Sequence, residues 1–363
     1  MRGIKVENNN QNKEKVIYTE TEISELTEFI RILKEKTKDS HSQGEHLYFR
    51  GESSNYNRRI PTLYRQPKLA EHGSEYYYRT LLNELGRDDY GENTSLVRLI
   101  SELQHYGAVT RMLDVTSNPI VALYFSLEGS DEDDGYVYMY SVKKEDEKFD
   151  TGHTVAIKSG LNLVNQQLID NFLRACKWFE KNFKNCLETT TDELDSLIQK
   201  NEECYNISDQ KRKIHKTNIV KFMEILNQRA RVRERLNYPF KIYKDLNIAH
   251  LVLPSKTTDR IRQQQGAFMF PKYVNIKKVK KNIRNKNNKT NKTLKDEVHK
   301  QIDKSIQHFS LKDKDKKQLR IKIKGKEKRE LKKQLKMIGI TEGFIYPDIE
   351  HVSKALLETY DEK

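Results

Sequence analysis

The stretch Leu47 to Arg65, LYFRGESSNYNRRIPTLYR, sets Arg50 between an aromatic and a glycine and spends Arg58, Arg59 and Arg65 soon after. A guanidinium is a planar fork suited to phosphate or carboxylate. Inside a strand it is costly unless an anion or an acid partner meets it. Gly51 permits either unusual backbone angles or the close approach of a ligand. Arg50 therefore either grips an anion or pairs internally with Glu52 or Asp114.

A second cluster, LQHYGAVTRMLDVTSNP at 103–119, crowds His105, Tyr106, Thr110, Arg111, Asp114, Thr116, Ser117 and Asn118 beside an apolar run. Such groups must bond each other or a ligand when buried. His105, beside a glycine turn, is the best candidate for a general acid or base. Asp114 could equally cap the next element, with Arg111 as its partner. A third cluster, RIRQQQGAFMF, places Gln263, Gln264 and Gln265 before a glycine and an apolar strand. Glutamine amides could hold ribose hydroxyls or an amide, or the run could be a solvated turn. No glycine-rich phosphate loop, serine-hydrolase elbow or His/Cys zinc spacing occurs, so no metal site is expected.

The elements that must position these clusters follow from periodicity. A helix-period stripe runs from Ile23 to Lys36, and HLYFRGE reads as a strand. Two helices end near Gly86 and Gly107, and Pro119 opens a buried one. DGYVYMYSV alternates as a strand. Residues 159–245 are polar and helical, and NIAHLVLPS resumes β character. LRIKIKGK alternates again before two closing helices. The expected class is α+β, a mixed or antiparallel split sheet with flanking helices and a helical insertion. Residues 1–21 form a polar leader and 277–318 a Lys/Asn-rich insertion.

Of 363 residues, 36% are apolar and 33% charged, with a net charge of +14. Between Lys272 and Lys336 stand 25 Lys and Arg against 7 Asp and Glu, so this segment alone makes the chain basic. Such a segment binds nucleic acid or a ribosome-associated target, or is a solvated helical surface. The three cysteines give no disulfide framework, and no apolar signal core or membrane-length run is present. The cytoplasm is the expected compartment.

Phe49-Arg50-Gly51, HYGAVTRMLDVTSNPIVALYFSL, DGYVYMYSV, RIRQQQGAFMF and KMIGITEGFIYPDIEHVSKAL, in that order, closely resemble the bacterial FRG domain. The resemblance covers 22–158 and 246–358, outside the two insertions. More distantly, an aromatic before Arg-Gly at a strand end is similar to the first motif of ADP-ribosyltransferases. That likeness implies an ADP-ribosyltransferase-like fold with NAD as cosubstrate. Arg50 would bind the NAD diphosphate, with Thr116 or Ser117 on the nicotinamide-side strand. Gly51, Tyr106 and Arg111 would complete the cofactor site. The family's third motif carries a catalytic Glu, whereas this chain has Gln263 to Gln265. The role would pass to His105, Asp114 or Glu52, with Gln264 beside them, or the site binds a nucleotide without transfer.

The resemblance implies a bacterial intracellular effector, a divergent ADP-ribosyltransferase acting on nucleic acid or a translation-associated target. Phage defence and toxicity are the roles that this family's company implies. The alternative is a non-enzymatic nucleic-acid or nucleotide-binding module that uses residues 272–336 as an electrostatic arm.

Overall fold

The computed structural model describes residues 18–86, 95–200, 208–286 and 293–361. Most of the polar leader and Cys204 lie outside these residues. In chain order, β1 (Tyr18–Ile23) and α1 (Leu26–Ser42) lead into β2 (Glu45–Glu52). Then α2 (Pro67–His72), α3 (Glu75–Leu85) and α4 (Leu96–His105) precede β3 (Leu113–Thr116). Next come α5 (Pro119–Ser126), β4 (Gly135–Lys143) and the short β5 (Lys148–Phe149). A helical stretch follows, α6 (His153–Gly160), α7 (Gln166–Asn182), α8 (Leu194–Lys200), α9 (Asp209–Arg229) and α10 (Pro239–Asn247). The chain returns through β6 (His250–Leu253), α11 (Asp259–Gln263) and β7 (Gly266–Phe270). It closes with α12 (Ile276–Lys286), α13 (Leu294–Ile306), β8 (Gln318–Ile323), α14 (Lys328–Met337), α15 (Glu342–Ile345) and α16 (Ile349–Asp361).

The fold is α+β. Its strands form one mixed sheet in the order β1-β8-β4-β2-β3-β7-β6-β5, parallel at its two outer pairs and antiparallel between. Residues 18–21, expected in the leader, belong to strand β1, where Arg320 of β8 holds Glu20. Alternation along the strands divides the apolar side chains between two faces. One face carries Tyr48, Val115 and Tyr140 and is covered by Val279, Val298, Ile302 and Ile306 of α12 and α13. The other is covered in two halves. Phe29, Leu123 and Leu331 of α1, α5 and α14 pack near Phe49 and Val137, while Tyr78 and Leu99 of α3 and α4 pack near Phe268 and Phe270.

The helical stretch 159–245 has its own core, with Phe172 and Phe222 stacked and Phe179 and Phe240 beside them. The basic insertion differs from its sequence reading. Its helices spend their apolar sides on the sheet, and Arg59 binds Asp303 of α13 through its backbone N–H at 2.9 Å. Removing this hairpin would bare one face of the sheet rather than free an appended arm.

Candidate functional site

Strand β2 pairs with β4 along its whole length, and β3 with β7 along its own. Between them, β2 and β3 share a single pairing, Phe49 with Thr116. Toward Glu52 the two strands part, and a cavity of about 320 Å³ opens there. Its walls come from β2, β3, the C-terminal turn of α4, the end of α5, α11 and the start of β7.

Arg50 crosses this opening. Its Nε donates to Glu52 Oε1 at 2.9 Å and its Nη1 to the backbone carbonyl of Asp114 at 2.7 Å. Among the described residues, Nη2 makes no hydrogen bond. Burial works against the Arg50 charge, but the Glu52 and Asp114 carboxylates outweigh it and hold its pKa above the usual guanidinium value. The neighbouring glycine has another reason to be there. A Cβ on Gly51 would stand 1.9 Å from the Ala122 carbonyl oxygen and 2.8 Å from Phe125 Cβ. Gly51 therefore lines the cavity, yet α5 packing against β2 is what excludes a side chain.

Helix α5 is placed by its own chemistry. Pro119 sits at its first turn, and the Asn118 side chain caps the Ile120 N–H at 3.0 Å. Helix α4 ends at His105, and Gly107, at φ +91°, turns the chain back toward β3. On β3, Asp114 alternates with Leu113 and Val115 and so faces away from the core those two enter. Gln104 donates its amide N–H to Asp114 Oδ1 and accepts from the Thr110 hydroxyl, which fixes the orientation of that amide. Asp114 is ringed by the cleft walls, although solvent still reaches its carboxylate through the opening. The enclosure raises its pKa against the pull of Arg50 and Arg260.

Nη1 of Arg260 donates to His105 Nδ1 at 2.6 Å. A guanidinium has no acceptor, so Nδ1 must be bare and the imidazole proton sits on Nε2. Burial, then the Arg260 charge, lowers the His105 pKa. The group expected as a general acid or base is thus held as a neutral hydrogen-bond donor. The glutamine run is folded onto β3. Thr116 donates its hydroxyl to the Gln264 carbonyl at 2.6 Å, and the Ser117 N–H donates to the Gln265 carbonyl at 3.2 Å. Gln265 adopts φ +46° to make this turn. The Gln264 amide itself donates to the Ile345 carbonyl at 3.0 Å.

Arg50, Gly51, His105, Asp114, Thr116 and Gln264 thus line one cavity. Arg111, Tyr106 and Ser117 do not. Arg111 is buried at 6% exposure, with Nε, Nη1 and Nη2 on Asn162, Tyr64 and Ser74. Nor does it pair with Asp114. Tyr106 is 71% exposed, beyond the glycine turn. Downstream, Arg58 and Arg59 are engaged by Asp296 and Asp303 of α13, and Arg65 by the Ile60 carbonyl.

The residues missed from sequence are Glu128, Arg260, Gln104 and Glu102, all of which line the cavity. Glu128 follows α5, and burial raises its pKa although Tyr346 donates to its Oε1 at 2.8 Å. The helical spacing of Ser101, Gln104 and His105 could have flagged Gln104. Nothing local marks Glu128. No group of side chains able to hold a metal ion occurs among the described residues. None of their helices is long and apolar enough to cross a membrane.

Residues 45–135, which hold Arg50, His105, Asp114 and Glu128, match the family model of the FRG domain. The chain carries an FRG domain. No curated protein and no solved structure matches it significantly. Of the elements that wall the cavity, β2, α4, β3 and α5 lie within the matched span, while α11 and β7 come from outside it.

Proposed function

We propose that the cleft of this FRG-domain protein binds NAD and transfers ADP-ribose, as a divergent ADP-ribosyltransferase. In that reaction the ribose–nicotinamide C–N bond breaks, and nicotinamide leaves with the bonding electrons. An acceptor nucleophile then bonds to the ribose C1′ and gives up its proton. The observation that carries the reading is the gap between β2 and β3. An arginine with a spare nitrogen faces it, in one cavity with several carboxylates.

The charges suit such a substrate. Arg50 and Arg260 offer guanidinium donors to a diphosphate. Glu52, Glu102, Asp114 and Glu128 give the cavity an acidic surplus, which favours positive charge developing on the ribose. Glu128 takes the carboxylate role that the glutamine run cannot fill. His105 Nε2–H is a donor for a carboxamide or phosphate oxygen. The lysine-rich outer sides of α12 and α13 favour a nucleic acid or a translation-associated molecule as acceptor.

The test is incubation with NAD labelled in the adenylate half, alone and with nucleic acid or ribosomes. Nicotinamide release with label transfer is expected from the wild type, and a loss of about a hundredfold or more in Glu128→Gln. Tight NAD binding without release would leave the non-enzymatic nucleotide-binding alternative, and neither binding nor release would overturn both.

A further inference from the structure

Behind the cavity wall lies a residue that neither the FRG match nor the sequence reading singles out. Tyr346 closes α15 at φ −117° and ψ 85°, outside the helical region that the following Pro347 disfavours. Its hydroxyl donates to Glu128 Oε1 at 2.8 Å. Its ring lies 4.9 Å from the Arg260 guanidinium, and Arg260 in turn fixes His105 through Nδ1. The ring is itself clamped between Phe125, at 6.2 Å, and a stacked His351, at 4.7 Å. Gln264 ties the adjoining Ile345 carbonyl to the glutamine turn.

We propose that Tyr346 is the positioning residue of the cleft, holding Glu128 with its hydroxyl and Arg260, and through it His105, with its ring. One side chain from the C-terminal segment thus sets the carboxylate on one wall and the imidazole tautomer on another. Burial, then the Glu128 charge, keeps the phenol protonated and therefore a donor. Glu128 also faces Lys332 of α14, Glu342 of α15 and Arg260 of α11. Of these groups, Tyr346 makes the hydrogen bond to its carboxylate.

The two halves of the role separate in two variants. Tyr346→Phe keeps the ring and loses the hydroxyl. Tyr346→Leu loses the stacking face as well. The kinetic arm rests on the NAD reading, whereas two spectroscopic arms need no substrate. In Tyr346→Phe, the carboxyl band of Glu128 in isotope-edited infrared titration should move up by about one pH unit, since the lost bond favoured the ionised form. The acid limb of kcat/KM for NAD should move with it, while NAD affinity stays within about twofold.

In Tyr346→Leu, ¹⁵N NMR of His105 should lose its single Nε2–H tautomer, and the Kd for NAD should rise about tenfold. An unmoved Glu128 titration in the first variant, or an unchanged His105 tautomer in the second, would overturn the proposal. If the wild type neither binds nor consumes NAD, the reading of the function falls, and the infrared and NMR results still decide the role of Tyr346.

Discussion

Two regions of the chain hold guanidinium groups in opposite ways. At the seam between the sheet and the helical stretch, Arg111 gives all three guanidinium nitrogens to Asn162, Tyr64 and Ser74. Nearby on α6, Lys158 is 3% exposed and donates to the carbonyls of Ile248 and Pro271. In the cleft, Arg50 gives Nε and Nη1 to Glu52 and Asp114, lines the cavity, and has no hydrogen bond on Nη2 among the described residues. Both arginines lie among polar residues close to a strand. They differ in whether the fold closes around the last donor. At the seam, packed side chains complete the shell. At the cleft, a strand pair that parts after one pairing leaves it incomplete.

The sharpest way to break this contrast is to remove the sealed cation. Arg111→Leu leaves the Tyr64 hydroxyl, the Ser74 hydroxyl and the Asn162 carbonyl without their buried partner, each at a cost of about 1 kcal/mol or more. A loss of about 3 kcal/mol should appear as a lower denaturant midpoint with an unchanged slope. The fraction that stays folded should handle NAD like the wild type. A variant of full stability and reduced NAD binding would place Arg111 in the cofactor site after all.

The complementary change in the cleft should act the other way. Arg50→Lys keeps a cation beside the buried Glu52 carboxylate but loses the planar fork. Stability should shift by less than about 1 kcal/mol, while NAD affinity falls about thirtyfold, near 2 kcal/mol, as read by calorimetric titration. If stability falls and affinity holds, Arg50 is a strand-bridging structural arginine like Arg111.

This contrast also shows what the sequence could and could not carry. The strand around Arg50, the Pro119 helix start and the glycine after α4 have local signals, because caps and periodicity act within a few residues. Gly51 was legible as a constrained position, but its cause, the Ala122 carbonyl, lies seventy-one residues away. Arg111 and Arg50 look alike in sequence because donor satisfaction is decided by distant groups such as Asn162. Glu128 and Tyr346 are apart by 218 positions, and neither carries a pattern until the fold joins them. The basic stretch was misleading for a related reason. Its lysines dominate the composition, yet Val279, Ile302 and Ile306 decide where it goes.

Lys158 sharpens the sealed side of the comparison through pH. Burial, against a weaker pull from Asp245, lowers its pKa to about 7. Between that value and its unfolded value, the unfolded chain binds the extra proton, so stability rises with pH. The gain should approach about 1.4 kcal/mol from pH 8 to pH 9. Subtracting the profile of Lys158→Met isolates the lysine from groups shared by both proteins. Equal slopes in the two proteins would mean that Lys158 stays charged and that water reaches the seam.

The smallest effect separates two adjacent arginines that the sequence presents as a pair. Arg59 is 3% exposed and packs 4.5 Å from the Tyr138 ring, with Asp303 on its backbone N–H and near its Nε. Arg58 is at the rim, where Nη1 meets the Asp296 carbonyl at 3.0 Å and its carboxylate only at 3.9 Å. Solvent screens the longer contact, so Arg58→Ala should cost about 0.5 kcal/mol. That cost should shrink little in high salt, because a hydrogen bond to a neutral carbonyl carries most of it. Thermal melts of the variant in low and high salt check both statements. A cost that vanishes in salt would assign Arg58 to the Asp296 carboxylate, and the rim of the sheet–hairpin contact would then be held by charge instead of by backbone.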